Sequence, residues 1–301
     1  MLKSATEAMK QDRGADGKSP GTQTVERGLK VLDALASNRG RMRLSDLSRA
    51  TGLNISTTSR LLGALDRFGF VDRDDDTGRY GLGYKLLRLA QIVLEQSPLP
   101  EMANPVLAQL MEETGETATL CVRYADSAIV IARAECTNPL RTVAQIGHTG
   151  PLYCTAHGKV MLAHLPDREV AEVLGRGMPA LTNLTITSTT RMADELAQIR
   201  AQDYAIDVGE REAGLVSIAA PVRDAGGRVV ATCGVSGSIQ RMPIEEIPTL
   251  ADLVLTAAVT LSGKLGWQTE GVRRNGRVAG REESAFAATG SRSTMDRERH
   301  G

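Results

Sequence analysis

The run from residue 44 to 67 most constrains this chain, because two short amphipathic segments there are separated only by Gly52-Leu53-Asn54. In LSDLSRATG, Leu47 and Ala50 recur at helical spacing, Ser45 stands as the expected N-cap and Gly52 closes the segment. In ISTTSRLLGALDR, Thr58, Leu61, Leu62 and Leu65 lie on one face of a helix expected from about Ile55 to Arg67. So short a turn makes the two helices cross steeply and leaves the start of the second one projecting. That start carries Asn54, Ser56, Thr57, Ser59 and Arg60, small hydrogen-bonding groups plus one long bidentate donor. Such a surface can enter a DNA major groove about 12 Å wide and read base edges. Ser45 and Asn54 read first as caps; Thr57, Ser59 and Arg60 read as DNA contacts.

The flanks complete the pattern. Upstream, Val25, Leu29, Leu32, Leu35 and Ala36 mark one face of a helix that ends in Ser37-Asn38-Arg39-Gly40, where Gly40 suits a left-handed cap. Downstream, Gly69–Arg73 and Arg79–Leu82 are extended runs around the turn-rich Asp74-Asp75-Asp76-Thr77-Gly78. Three helices and a hairpin in this order describe a winged helix-turn-helix. The charges agree: residues 1–82 carry 14 basic and 11 acidic side chains, residues 83–269 carry 15 and 20, and residues 270–301 carry 7 and 5. The formal net charge of zero therefore hides a basic first part, the distribution expected where phosphates are contacted. Arg43 beside the second helix and Arg73 and Arg79 on the wing are placed to hold phosphates or reach the minor groove.

With 301 residues, 42% of them hydrophobic, the chain has room for two cores of ordinary composition. Aromatic residues are only 3%, so Leu, Val, Ile, Ala and Met must fill those cores. No stretch approaches the roughly 18 consecutive apolar residues of a membrane span. The first residues lack the apolar run of a secretory signal, and Cys121, Cys136, Cys154 and Cys233 show no paired spacing. A cytoplasmic location follows as the expectation. Residues 1–21 and 268–301 are polar and aperiodic and are expected to be disordered tails.

Several motifs together resemble IclR-type transcriptional regulators. They are TVERGLKVLDAL, LSDLSRATGLNISTTSRLLGALDRFGFVDRD and GRYGLG in residues 24–83, and GPLYCTAHGKVMLAHLP in residues 150–166. Asp207-x-x-Glu210-x-x-x-Gly214, Ile218-Ala219-Ala220-Pro221-Val222 and Val235-Ser236-Gly237 complete the set. The resemblance runs from about Thr24 to Trp267. It implies an α+β chain: a winged helix-turn-helix DNA-binding domain over 22–83, a linker helix over 84–98 and a GAF-like α/β effector-binding domain over 99–267. It also implies that the linker helix helps pair subunits into a dimer or tetramer; packing on its own domain is the other reading. The residues agree with this order. YKLLRLAQIVLEQ is amphipathic and stopped by Pro98 and Pro100, a helix is expected over 104–114, and strands over Ala118–Tyr124, Ala128–Ala134 and Arg141–Gln145. Helices follow at Thr155–Ala163, at Asp167–Leu174 with Asp167 as cap, and at Arg191–Gln202. Strands at Leu215–Val222 and Arg228–Val235 precede a final helix at Pro243–Gly263.

By the same resemblance, Thr155, Ala156, His157 and Gly158 converge with Asp207, Leu215, Ser217, Gly234 and Ser236 on a small-molecule site. Ser217 stands where many members have Cys, Gly234 where some have Ser, and His157 where the residue is usually small and apolar. Gly234 would enlarge the pocket, and His157 would add a donor able to charge near neutral pH. A carboxylate bulkier than a two- or three-carbon acid is the expected effector. The other reading has His157 facing solvent as a cap.

Enzyme readings are weaker. Cys154-x-x-His157 with His164 lacks the remaining ligands of a zinc site and an oriented base for a thiolate. Ser217 lacks a Gly-x-Ser-x-Gly elbow, Lys159 follows no phosphate-binding loop, and Asp72–Asp76 lacks the spacing of a calcium loop. The expectation is a regulator with no enzymatic activity, cofactor or metal. It binds operator DNA and a small acid, more as repressor than activator. The alternative is an acid-sensing adaptor whose winged helix binds a protein.

Overall fold

The computed structural model describes residues 20–38, 40–138 and 144–268. Helix α1 (Pro20–Ser37) packs on α2 (Leu44–Thr51) and α3 (Ile55–Arg67), and a hairpin of β1 (Val71–Arg73) and β2 (Tyr80–Leu82) forms the wing. Their core is Val31, Leu35, Leu47, Leu62 and Val71. The sequence misplaced several details here. The inner face of α1 runs through Gly28, Val31 and Leu35, whereas Val25, Leu29 and Ala36 are exposed. Ala50 is also exposed. Helix α2 starts at Leu44 with Arg43 in the cap position, so Ser45 lies inside the first turn. Gly40 has no positive φ; the left-handed glycine is Gly52, φ 68°, which turns the chain into α3. The wing is secured from outside the hairpin: Met42 bridges Tyr80, and Arg41 pairs with Asp72. Asp74 Oδ1 accepts from Thr77 N at 2.7 Å, so the acidic run serves the turn.

Helix α4 (Lys85–Glu95) follows and contains no buried residue. Helix α5 (Leu99–Thr114) begins five residues earlier than expected, because Pro100 occupies its first turn, where a missing N–H costs nothing. Pro105 lies within it.

The second unit is a six-stranded antiparallel sheet in the order β5-β4-β3-β8-β7-β6. Its strands are β3 (Thr117–Tyr124), β4 (Ser127–Ala134), β5 (Thr149–Pro151), β6 (Ala205–Val208), β7 (Leu215–Arg223) and β8 (Val229–Ser238). The expected strand at Arg141–Gln145 lies outside the described residues except for Ala144 and Gln145, which are in no strand. Expectations for the two tails likewise fall largely outside them, although α1 already begins at Pro20. One sheet face, with Ala118, Leu120, Ile218, Ala220, Cys233 and Val235, packs on α5 and on α9 (Ile247–Lys264), which a short 3₁₀ turn at Ile244–Glu246 precedes. The other face packs on α6 (Ala156–Ala163), α7 (Asp167–Leu174) and α8 (Thr189–Gln202). Asp167 is the first residue of α7, and Pro166 holds its cap position. All eight residues of α6 are buried.

Glu116, the residue before β3, is 3% exposed and receives both Nε and Nη2 of Arg241, the latter at 2.9 Å. Arg241→Ala would leave a buried carboxylate unpaired, and urea unfolding should show a loss of about 2–3 kcal/mol with an unchanged m value.

Candidate effector pocket and DNA-facing surface

A cavity of about 490 Å³ opens against the α6 face of the sheet. Its floor is the alternating inward row of three strands: Thr119 and Cys121 of β3, Ser217 of β7 and Ser236 of β8. Thr155, Ala156 and His157 enter from the start of α6, and Asp207 from β6. Leu215, Ala128 and Val130 supply apolar wall, so the cavity has the apolar lining and few polar groups of a small-molecule site. The structure thus brings together Thr155, Ala156, His157, Asp207, Leu215, Ser217 and Ser236. It does not bring in Gly158 or Gly234. A Cβ on Gly158 would stand 2.5 Å from Leu152 Cα, and one on Gly234 would stand 2.3 Å from Ile218 O. Both glycines serve close backbone packing, so Gly234 does not widen the pocket as expected from sequence.

His157 also departs from expectation. Its ring is buried, with Nε2 2.9 Å from Thr119 Oγ1 and Nδ1 2.9 Å from Thr232 Oγ1. One nitrogen donates and the other accepts, so a neutral ring satisfies both hydroxyls. Burial pushes its pKa down to about 4, and it is neither a charged donor near neutral pH nor a solvent-facing cap. The side chain that caps α6 is Thr155, whose Oγ1 accepts from Gly158 N at 3.0 Å.

Asp207 is 1% exposed, and its Oδ1 accepts from Glu210 N at 2.7 Å. Burial pushes its pKa up to about 6. Beneath it, the buried Lys159 Nζ donates to Glu195 of α8 at 2.7 Å and to Glu210 at 2.5 Å. Burial opposes the Lys159 charge, but these two carboxylates outweigh it and hold the ammonium above its ordinary pKa. Ser236 Oγ donates to Ser217 Oγ at 3.0 Å.

Sequence reasoning missed the other wall. Arg211, His148, Thr149, Gly150 and Glu212 all line the cavity. Arg211 lies on the β6–β7 loop, yet its Nη2 donates to Thr149 O of β5 at 3.1 Å. Strands β5 and β6 are opposite edges of the sheet, so the sheet curls until Arg211 spans the opening. Arg211 fills a variable place within Asp207-x-x-Glu210-x-x-x-Gly214, where the motif gives no signal.

Cys154 is buried and its thiol is pushed up to about 12 by burial, so it is not a ready nucleophile. Among the described residues no group of three or more His, Cys, Asp or Glu side chains could hold a metal.

On the first unit, Asn54 caps α3, with Oδ1 accepting from Thr57 N at 2.8 Å and from Ser56 Oγ at 2.9 Å. Its carbonyl is therefore engaged in the helix start. Ser59 and Arg60 are exposed one turn on, Thr57 is half-buried, and Arg43 and Arg79 are exposed. Arg73 lies 5.8 Å from the centre of the Tyr80 ring, stacked along the wing.

The neutral His157 has a measurable signature. Below about pH 6.5 the unfolded chain takes up a proton that the folded site excludes, so this group's stabilisation falls as pH drops toward 4. Asp207 acts in the opposite direction, so the difference between proteins is the useful quantity. The stability advantage of wild type over His157→Gln should shrink by about 2 kcal/mol between pH 7 and pH 5 in urea titrations.

Comparison with known proteins agrees with both units. Residues 24–75 match the IclR helix-turn-helix domain, and residues 91–263 match the bacterial transcriptional regulator IclR C-terminal domain. The transcriptional repressor IclR of Escherichia coli K12 is 33% identical over 245 residues, covering 80% of this chain and 89% of that protein. The HTH-type transcriptional repressor AllR of Salmonella paratyphi A is 31% identical over 247 residues, covering 82% and 91%. The crystal structure of Thermotoga maritima IclR superimposes with a TM-score of 0.63 at 30% identity, covering 81% of this chain and 99% of that one. The helix-turn-helix with its wing, the curled sheet and these matches give one conclusion: the chain belongs to the IclR family of DNA-binding bacterial transcriptional regulators.

Proposed function

We propose that the protein is a cytoplasmic, non-enzymatic repressor that releases or rearranges on operator DNA when a small organic acid enters the β-sheet cavity. The carrying observation is that α3 presents exposed Ser59 and Arg60, with Arg43 before α2 and Arg79 on the wing exposed as well. These groups supply a base-reading donor and phosphate contacts, with Asn54, Ser56 and Thr57 shaping the helix start and Arg73 stiffening the wing. Relatives named as repressors support the sign of regulation. That no helix among the described residues is long and apolar enough to cross a membrane fits the location. Residues 22–83, 84–98 and 99–267 serve as DNA-binding domain, linker and sensor.

The linker argues for pairing. Tyr84, Leu87 and Val93 are 87%, 68% and 65% exposed, an apolar surface distributed around the linker helix that a lone chain would leave in water. A second copy covering it yields a homodimer, or a homotetramer with further contacts, and lets two recognition helices read two half-sites. Ligand binding then changes operator affinity only through its differential affinity for two domain arrangements.

Fluorescence anisotropy on DNA from the upstream region, with scrambled competitor and two salt concentrations, tests this reading. Arg60→Ala should cost about 1–3 kcal/mol for the specific site, while Arg43→Ala or Arg79→Ala should lower the salt slope by about 1 each. Indifference to sequence and to Arg60 would favour the adaptor role, in which the winged helix binds protein. In light scattering, Leu87→Glu combined with Val93→Glu should shift the chain to monomer and weaken operator binding by at least tenfold.

A further inference from the structure

Among the described residues, Arg211 is the one Lys or Arg that lines the cavity. Its Nη2 is engaged, donating to Thr149 O at 3.1 Å and lying 3.3 Å from His148 Nε2. Nε and Nη1 have no acceptor among the described residues, and no Asp or Glu there pairs with the guanidinium. A partly buried cation with two uncommitted donors facing a cavity is suited to bidentate capture of a carboxylate.

The surroundings define where that carboxylate sits. A Cβ on Gly150 would lie 2.9 Å from Arg211 Nη1 and 2.8 Å from Thr155 Cγ2. The guanidinium therefore lies beside the residue that caps α6, over a strand position that only glycine leaves open. Ala156 and His157, the first residues of α6, line the same wall, and the unbonded N–H groups of a first helical turn favour negative charge. Elsewhere in the cavity the preference reverses. Asp207 is a buried acid held by Glu210 N, and Ser217 and Ser236 are neutral hydroxyls. A second negative charge beside Asp207 would meet like charge in a poorly solvated place.

We propose that Arg211 sets the ligand class of this cavity: it holds one carboxylate beside the start of α6, while Asp207, Ser217 and Ser236 take an uncharged hydroxyl. Hydroxylated monocarboxylates are thereby selected over dicarboxylates of the same length. The assignment rests on the reading of the cavity as the sensor of a regulator.

Calorimetric titration of the full chain tests it with two probe sets. One is 4-hydroxybenzoate, 4-hydroxybenzamide and terephthalate; the other is 4-hydroxybutyrate, its amide and succinate. In at least one set the hydroxy acid should bind wild type at least tenfold more tightly than its amide and than the dicarboxylate. Arg211→Gln should bring the acid-to-amide ratio close to one, and Arg211→Lys should restore part of it. Asp207→Asn should improve dicarboxylate binding at least tenfold. A clasp with a purely structural role would lower the melting temperature of Arg211→Gln and leave the acid-to-amide ratio intact, which would overturn the proposal. Equal binding of acid and amide to wild type, or no binding by any hydroxy acid, would overturn it as well. Operator binding by the ligand-free wild type is measured alongside: its failure sinks the regulator reading, whereas its success with a failed acid series sinks only the role of Arg211.

Discussion

Burial of helix α6 inside the curl of the sheet is the constraint on which the sensor unit depends. A helix buried on every side must solve locally what other helices leave to water. The ammonium of Lys159 is met by Glu195 and Glu210, the imidazole of His157 by two threonine hydroxyls, and Gly158 lets the helix come down on Leu152. Each solution fixes a neighbour in turn. The Lys159 bridge ties α6 to α8 and to the β6–β7 loop, and the His157 bonds tie α6 to β3 and β8. The cavity is the space left where the start of this helix meets the sheet, so its walls are inherited from the packing of α6.

Buried ion pairs contribute little net stability, because desolvation offsets their attraction. Their effect here is positional. Glu210 is anchored downward to Lys159, and its neighbour Arg211 reaches across to β5, so consecutive residues of one short loop are held from two directions. Glu210 Oε2 is buried and has no hydrogen-bond partner among the described residues.

Much of the architecture was legible from the sequence. The helix-turn-helix could be read because Gly52, Asn54 and the leucines of α3 carry local rules of turn, cap and period. Strands β3, β4, β7 and β8 could be placed from local pattern, and Asp207, Ser217 and Ser236 from the motif positions that the resemblance names, whereas the short edge strands β5 and β6 gave no signal. What escaped depends on distant parts of the chain. The inner face of α1 turns on Gly28, whose burial depends on neighbours rather than on hydrophobicity. The neutral state of His157 follows from its burial, and its ring is held by Thr119 and Thr232, which lie 38 and 75 residues away. Arg211 was invisible because its partner strand lies at the opposite edge of the sheet, a closure that no local pattern encodes.

The way Arg211 is held has a consequence for how such a protein changes over time. Among the described residues its hydrogen-bond anchors are a main-chain carbonyl of β5 and an imidazole on the same rim, and the residues following it, Glu212 and Ala213, are exposed. Replacing this side chain would remove contacts at the rim, over Gly150 and Thr149, and leave the Lys159 and His157 bonds of α6 in place. A lineage could therefore exchange the chemistry at the rim of the cavity while keeping the same core, so sensors for unlike compounds can diverge from one stable ancestor by changes at a single exposed loop.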